Sequence, residues 1–475
     1  MKSLKVFIYA FILLCSFSLS NCTKSESIPA DLEVNDFVWK GLNTYYFWQD
    51  QIPDLSDIRF SSQSQLNNFL STHDTPNSLF FSLLYNYPTI DKYSWIVSDY
   101  VALENSFQGI NQSNGMEFGL VRYMSTSSNL FGYVRYVLTG SDAAMDGITR
   151  GMLFNQVNGQ QLTETNYRNL LFSNATSYTI TLADYNSGNP TATSTTIMLT
   201  KSELQENPVN TVKTFTEGSN KIGYLMYNQF VTVFDGALNT AFATLKSEGV
   251  TDLIVDLRYN PGGSVRTATY LGQMITGQFS GQLFSREVWN SKVRANISAG
   301  NFENNFTAQI NNGIITENIN SLNLSRVYFI VTGSSASASE LLINSLRSYI
   351  DVRLIGTATE GKNVGSITLY DSENYRRSGA NPNHTWAMQP IVLEIQNRDG
   401  TTAPGGFTPE IVLAEDYSNL GVLGERGEPL LDRAISYILT GARFSNQLTT
   451  PNMEEISHSK LFTPTGNNMY TCLKK

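Results

Sequence analysis

Three cysteines and three histidines in 475 residues close off several chemistries at once. Cys15 and Cys22 lie within the first 22 residues, so only Cys472 remains for the rest of the chain, and neither an internal disulfide nor a thiolate cluster is expected. His73, His384 and His458 are scattered without the spacing of a metal site, and no metal or other cofactor is expected. A G-x-S-x-G elbow is missing, which leaves a Ser-His-Asp hydrolase with little support. Basic runs are missing too, and the net charge is −9, so a nucleic-acid surface is not expected. The apolar stretch at residues 6–20 is too short to span a bilayer. What is present is globular: 41% hydrophobic, 12% aromatic and 15% charged residues, at a length that allows two to four domains.

The chain divides by pattern. Lys2 and Lys5 precede the apolar stretch, so residues 1–22 read as an export leader rather than as fold. Val34, Phe37, Val38, Leu42, Tyr45 and Tyr46 return on one helical face, a second helical stretch follows at 64–70, and 77–84 is apolar again; residues 28–105 are expected to form a small helical domain. Residues 106–205 carry short strands at 116–123, 131–137, 152–157, 178–182 and 195–199, with Asn158-Gly159 as a turn pair. Residues 206–440 alternate strand and helix, with an amphipathic helix at 234–248, a strand at 252–257 and a closing helix at 430–439. Residues 441–475 are polar and are expected to form a loosely held tail.

The stretch that suggests chemistry is residues 327–362. The run Val327-Tyr328-Phe329-Ile330-Val331 reads as a buried strand. The small residues Ser334-Ser335-Ala336-Ser337-Ala338-Ser339 open a helix, and a second strand at 353–355 returns to a Gly- and Thr-rich turn carrying Lys362. That is a βαβ unit, and its turns fall at the carboxyl ends of strands, where open α/β sheets place their sites. A serine there can expose its hydroxyl, with helix-start amides aimed at what it attacks. A buried lysine, made neutral by desolvation, can remove the serine's proton.

The run Ser335-Ala336-Ser337-Ala338-Ser339-Glu340, followed by Gly361-Lys362, resembles the carboxyl-terminal processing peptidases, a family of Ser/Lys serine proteases. The resemblance makes Ser337 the nucleophile and Lys362, twenty-five residues on, the base. Asp256-Leu257-Arg258-Tyr259-Asn260-Pro261-Gly262-Gly263 matches a second signature of that family. It implies an oxyanion hole from the Ala338 amide and that of Gly262 or Gly263. The family carries a Gln four residues after the lysine; here Ser366 stands there as a candidate lysine-orienting residue. Residues 106–205 resemble a PDZ domain, which implies capture of a peptide C-terminus by strand addition, with residues 116–120 as the carboxylate loop and Phe118, Gly119 and Leu120 as its contacts. Leu19-Ser20-Asn21-Cys22 resembles a bacterial lipoprotein signal, with Cys22 as the lipidated residue and Asn21 in place of the usual small residue; ordinary secretory cleavage is the alternative.

The expected architecture is a multidomain α/β (α+β) chain, with a helical N-terminal domain, a PDZ-like β domain and an α/β protease core built on βαβ units. The expected activity is that of an exported, lipid-anchored cell-envelope serine endopeptidase acting on proteins or peptides. The alternative is a peptide-binding scaffold on the same fold that has lost turnover, favoured by Ser366. A small-ligand carrier, suggested by the many aromatics, stands third.

Overall fold

A computed structural model describes residues 27–125, 127–441, 453–463, 465–466 and 468–472. The leader, and with it Cys22, lies outside the described residues. No helix among the described residues is long and apolar enough to cross a membrane.

Three helices open the fold: α1 (Glu33–Tyr45), α2 (Gln63–Leu70) and α3 (Pro76–Ser82). Phe37, Val38 and Leu42 form the buried face of α1, as their spacing requires, and Leu66, Leu70, Leu79 and Phe80 close on it. Strand β1 (Trp95–Val97) and helix α4 (Tyr100–Phe107) lead into a β-sheet block. Its strands are β2 (Met116–Arg122), β3 (Leu130–Val137), β4 (Leu153–Val157), β5 (Ser177–Asp184) and β6 (Thr191–Thr200), paired antiparallel in chain order.

The α/β core follows with β7 (Val209–Glu217), β8 (Asn220–Tyr227), α5 (Asp235–Ser247), β9 (Asp252–Asp256), β10 (Gly263–Ser264), α6 (Val265–Thr276), β11 (Leu283–Trp289), β12 (Glu303–Asn305), β13 (Arg326–Val331), α7 (Ala338–Arg347), β14 (Asp351–Gly356), β15 (Val364–Ser366), β16 (Ala387–Gln389), β17 (Ile391–Asn397), β18 (Ile411–Val412) and α8 (Pro429–Thr440). The central sheet has the order β7-β8-β9-β13-β14-β18; β7 is antiparallel and the rest parallel. Its inner strands are apolar on both faces because both are covered. Leu253, Val255, Phe329 and Val331 face the core under α5, α6 and α7, whereas Ile254, Tyr328 and Ile330 meet α8 through Leu431 and Ile435. Burying each of the α7 side chains Leu342, Ile343 and Leu346 contributes about 1.5–3 kcal/mol. Pro390 separates β16, which pairs with β1, from β17.

The segment expected to be a loosely held tail is not loose where it is described. It supplies β19 (Glu455–His458), which pairs antiparallel with β2, and β20 (Met469–Tyr470), which lies between β10 and β15. Backbone pairing is indifferent to side-chain polarity, so a polar sequence does not disclose it.

Candidate active site

The candidate nucleophile turn is built where β13 ends and α7 begins. Ser335, Ser337 and Ser339 are all fully buried, but their hydroxyls differ. Ser335 Oγ donates to the Leu257 carbonyl (2.7 Å), and Ser339 Oγ donates to the Asn260 carbonyl (3.0 Å). These two stitch the turn to the segment after β9. The Ser337 hydroxyl has no hydrogen-bond partner among the described residues. Ser337 also sits at φ 66°, ψ −114°, a left-handed conformation that costs a non-glycine residue on the order of 1–3 kcal/mol and persists only where its surroundings impose it. The Ala338 N–H, in the first turn of α7, has no intrahelical acceptor.

Gly262 lies against Ser337. A Cβ there would stand 2.6 Å from Ser337 Cβ and 2.9 Å from its Oγ. The Gly262 N–H donates to Asn260 Oδ1 (2.9 Å), and Asn260 Nδ2 donates to the Tyr227 carbonyl (2.8 Å), so the turn is pinned to the neighbouring strand. Gly263 belongs to β10, beside β20.

Lys362 is 1% exposed. Burial lowers its ammonium from the usual 10.5 to about 7, against the opposing pull of the Asp91, Glu360 and Glu340 carboxylates. Its Nζ lies 4.5 Å from the centre of the Tyr93 ring, and the Tyr93 hydroxyl donates to Glu360 (3.2 Å). Asp91 is buried, accepting from the Tyr46 hydroxyl (2.8 Å) and from the Tyr93 and Ser94 amides. The helical N-terminal region therefore shapes the surroundings of the candidate base.

One side chain joins the two turns. Glu340 Oε2 accepts from the Ser337 N–H (2.9 Å) and the Lys362 N–H (2.8 Å). Its Oε1 accepts from the Gly361 N–H (2.7 Å) and Thr359 Oγ1 (2.5 Å). Burial pushes its carboxyl above the usual range, and these four bonds partly offset that.

The remaining sequence candidates are placed as follows. Ser366 is buried, and its hydroxyl donates to Asn468 Oδ1 (2.7 Å) in the C-terminal segment. Phe118, Gly119 and Leu120 fall inside strand β2 rather than in the expected loop. Gly119 is required there by packing, since a Cβ would overlap the Tyr133 ring across the sheet. Their outer edge is taken by residues 455–459.

Sequence reasoning missed Asp91, Tyr93, the bridging role of Glu340, and the C-terminal strands. Glu340 carried a signal, because Ser337-x-x-Glu340 has capping-box spacing. Nothing local links Tyr93 to a partner 267 positions away.

The Peptidase family S41 model matches residues 221–411, and the Peptidase S41 N-terminal domain model matches residues 33–95. A carboxy-terminal-processing protease of Bartonella bacilliformis is 28% identical over 227 residues, 46% of this chain and 45% of that protein. A protein described as a CtpA-like serine protease of Staphylococcus epidermidis is 24% identical over 159 residues, 32% of this chain and 27% of that protein. The chain's matches thus span less than half the length of these curated relatives. The crystal structure of a candidate S41 protease from Bacteroides fragilis shares the fold, with a TM-score of 0.63 at 23% identity over 85% of this chain and 97% of that one. The two family models together take in more than half of the residues, and the chain belongs to peptidase family S41, the carboxy-terminal processing peptidases.

Proposed function

We propose that this chain is an exported serine endopeptidase that hydrolyses peptide bonds with a Ser337–Lys362 dyad. The observation that carries this reading is the contrast among the three buried serines. Two have hydroxyls committed to backbone carbonyls; the third is unpartnered, held in a left-handed turn, and tied through Glu340 to a lysine whose burial makes it a base near neutral pH.

In this mechanism the Ser337 Oγ attacks the substrate carbonyl carbon while its proton passes to neutral Lys362. The oxyanion takes hydrogen bonds from the Ala338 amide and from that of Gly262 or Gly263. Collapse breaks the C–N bond, and the leaving amine takes the proton from Lys362. Water, deprotonated by the same lysine, then hydrolyses the acyl-enzyme and restores Ser337. Ser366 supports the lysine strand from within the site. The β-sheet block serves as a PDZ-like module, adding a substrate strand along Phe118, Gly119 and Leu120. Cys22 is the acylated residue that anchors the protein in the cell envelope.

Hydrolysis of an unfolded model protein by the full chain, Ser337→Ala and Lys362→Ala tests the dyad. Loss in both variants supports it, and full activity in Lys362→Ala rules out that base. A peptide-binding scaffold without turnover is the second reading, favoured by the complete burial of Ser337. A fluorophosphonate probe separates the two, since only an activated Ser337 becomes labelled.

A further inference from the structure

The β2 edge, where an added peptide strand would lie, is filled. Strand β19 pairs with it antiparallel, Ser457 opposite Leu120 and His458 opposite Gly119. Beyond the strand, Ser459 Oγ accepts from the Phe118 N–H (3.0 Å) and donates to the half-buried Glu117 carboxylate (2.6 Å). A short turn then drops the Phe462 ring onto Phe172, with centroids 3.6 Å apart and planes 12° apart, edge-on to Tyr167. Charges hold the same segment. Glu455 pairs with the buried Arg135, which also donates to Ser334 Oγ (2.8 Å) in the nucleophile turn. Lys460 Nζ donates to the Asn228 carbonyl (3.0 Å) and lies 3.4 Å from Glu206.

The same stretch continues to the catalytic turns. Asn468 accepts the Ser366 hydroxyl, and β20 lies parallel to Gly263–Ser264, the turn expected to face a substrate carbonyl. Between these two attachments is a cleft of about 490 Å³. Pro261, Ala336 and Glu360 line it together with His458, Leu461 and Gly466.

We infer that the β2 edge and the Phe172 pocket form a binding surface for an internal strand–turn–aromatic peptide, that its resident ligand is this chain's own segment 453–472, and that substrate polypeptides reach Ser337 by displacing it. The second half of this statement rests on the peptidase reading; the first does not. The ligand class follows from the contacts. A strand supplies the main-chain bonds, a hydroxyl sits between Glu117 and the Phe118 amide, and an aromatic ring is stacked, with the chain running on past it. A free carboxylate at Phe118 would instead lie against Glu117. Tethering makes the resident segment a strong competitor, because a covalently linked ligand acts at an effective concentration on the order of millimolar.

The test is a fluorescence-anisotropy titration of a labelled peptide spanning residues 453–463 into the full chain and into Glu455→Ala/Phe462→Ala, whose folding is checked by thermal melting. Phe462→Ala alone serves if the double variant fails to fold. The peptide is expected to bind the variant about a hundredfold more tightly than the unaltered chain, since the tethered competitor is removed. A folded variant with no gain in binding would overturn the occupancy. In parallel, casein hydrolysis is expected to rise about tenfold in the variant, as displacement becomes easier; an unchanged or lower rate in a variant that has gained peptide binding would overturn the competition with substrate. If no form hydrolyses casein and no form is labelled at Ser337 by the phosphonate, the peptidase reading fails, and with it the competition for Ser337, while the titration still decides the resident ligand.

Discussion

Replacing Tyr93 by leucine tests the coupling between the helical N-terminal region and Lys362, the proposed base. Lys362 Nζ stands 4.5 Å from the Tyr93 ring centre, where the face of the ring favours the protonated amine over the neutral one. Leucine keeps the apolar volume, so the desolvation that dominates the lysine's shift is retained and the ring's contribution is removed. A cation–π contact of about 0.5–2 kcal/mol corresponds to about 0.4–1.5 pH units. With the ammonium of Lys362 near 7, kcat/KM of the unaltered chain is expected to rise about tenfold between pH 6 and pH 8 as the amine deprotonates. In Tyr93→Leu that limb is expected to move to lower pH, because losing a group that stabilises the charged form lowers the pKa. The assay is kcat/KM for a fluorogenic peptide from pH 5 to pH 10. A limb that stays in place, or moves upward, would refute the argument; a limb still rising at pH 10 in the unaltered chain would refute a neutral buried lysine altogether.

Other consequences are as direct. Glu340→Gln replaces two acceptor positions by an NH2 facing donors, and is expected to cost about 2–5 kcal/mol of stability by thermal melting, with kcat falling while KM holds. Gly262→Ala places a methyl 2.6 Å from Ser337 Cβ at φ 113°, and is expected to abolish phosphonate labelling of Ser337 and lower the melting temperature. His458 is held neutral, its pKa driven well below 6.5 by burial and then by Arg135 and Lys460. A released His458 binds a proton that the docked one refuses, so docking is present above about pH 6.5 and weakens by up to about tenfold per pH unit below it. Amide exchange along β2, corrected for intrinsic rates, is expected to quicken below that pH; protection that does not change would exclude His458 as the cause.

Much of this protein was legible in the order of its residues because the physics that shapes it is local. The period of Phe37, Val38 and Leu42 marks a helix whatever it packs on, and an unbroken run such as Val327 to Val331 marks a strand covered on both faces. The nucleophile turn and the lysine turn are likewise each contained in a few residues, so their motifs survive in one dimension. The sequence could not say which serine of the run keeps a free hydroxyl. That depends on the Leu257 and Asn260 carbonyls coming from another strand. Nor could it show that Tyr93 and Asp91 surround Lys362, or that a polar C-terminal stretch becomes strands in two sheets. The sequence by itself determined the helices and strands of the α/β core, the family and the two candidate catalytic turns, because periodicity and short motifs are properties of neighbours. The tertiary structure alone decided the environment of the base and the occupant of the sheet edge. Desolvation, charge proximity and backbone pairing depend on distances that chain closure creates between residues far apart in sequence.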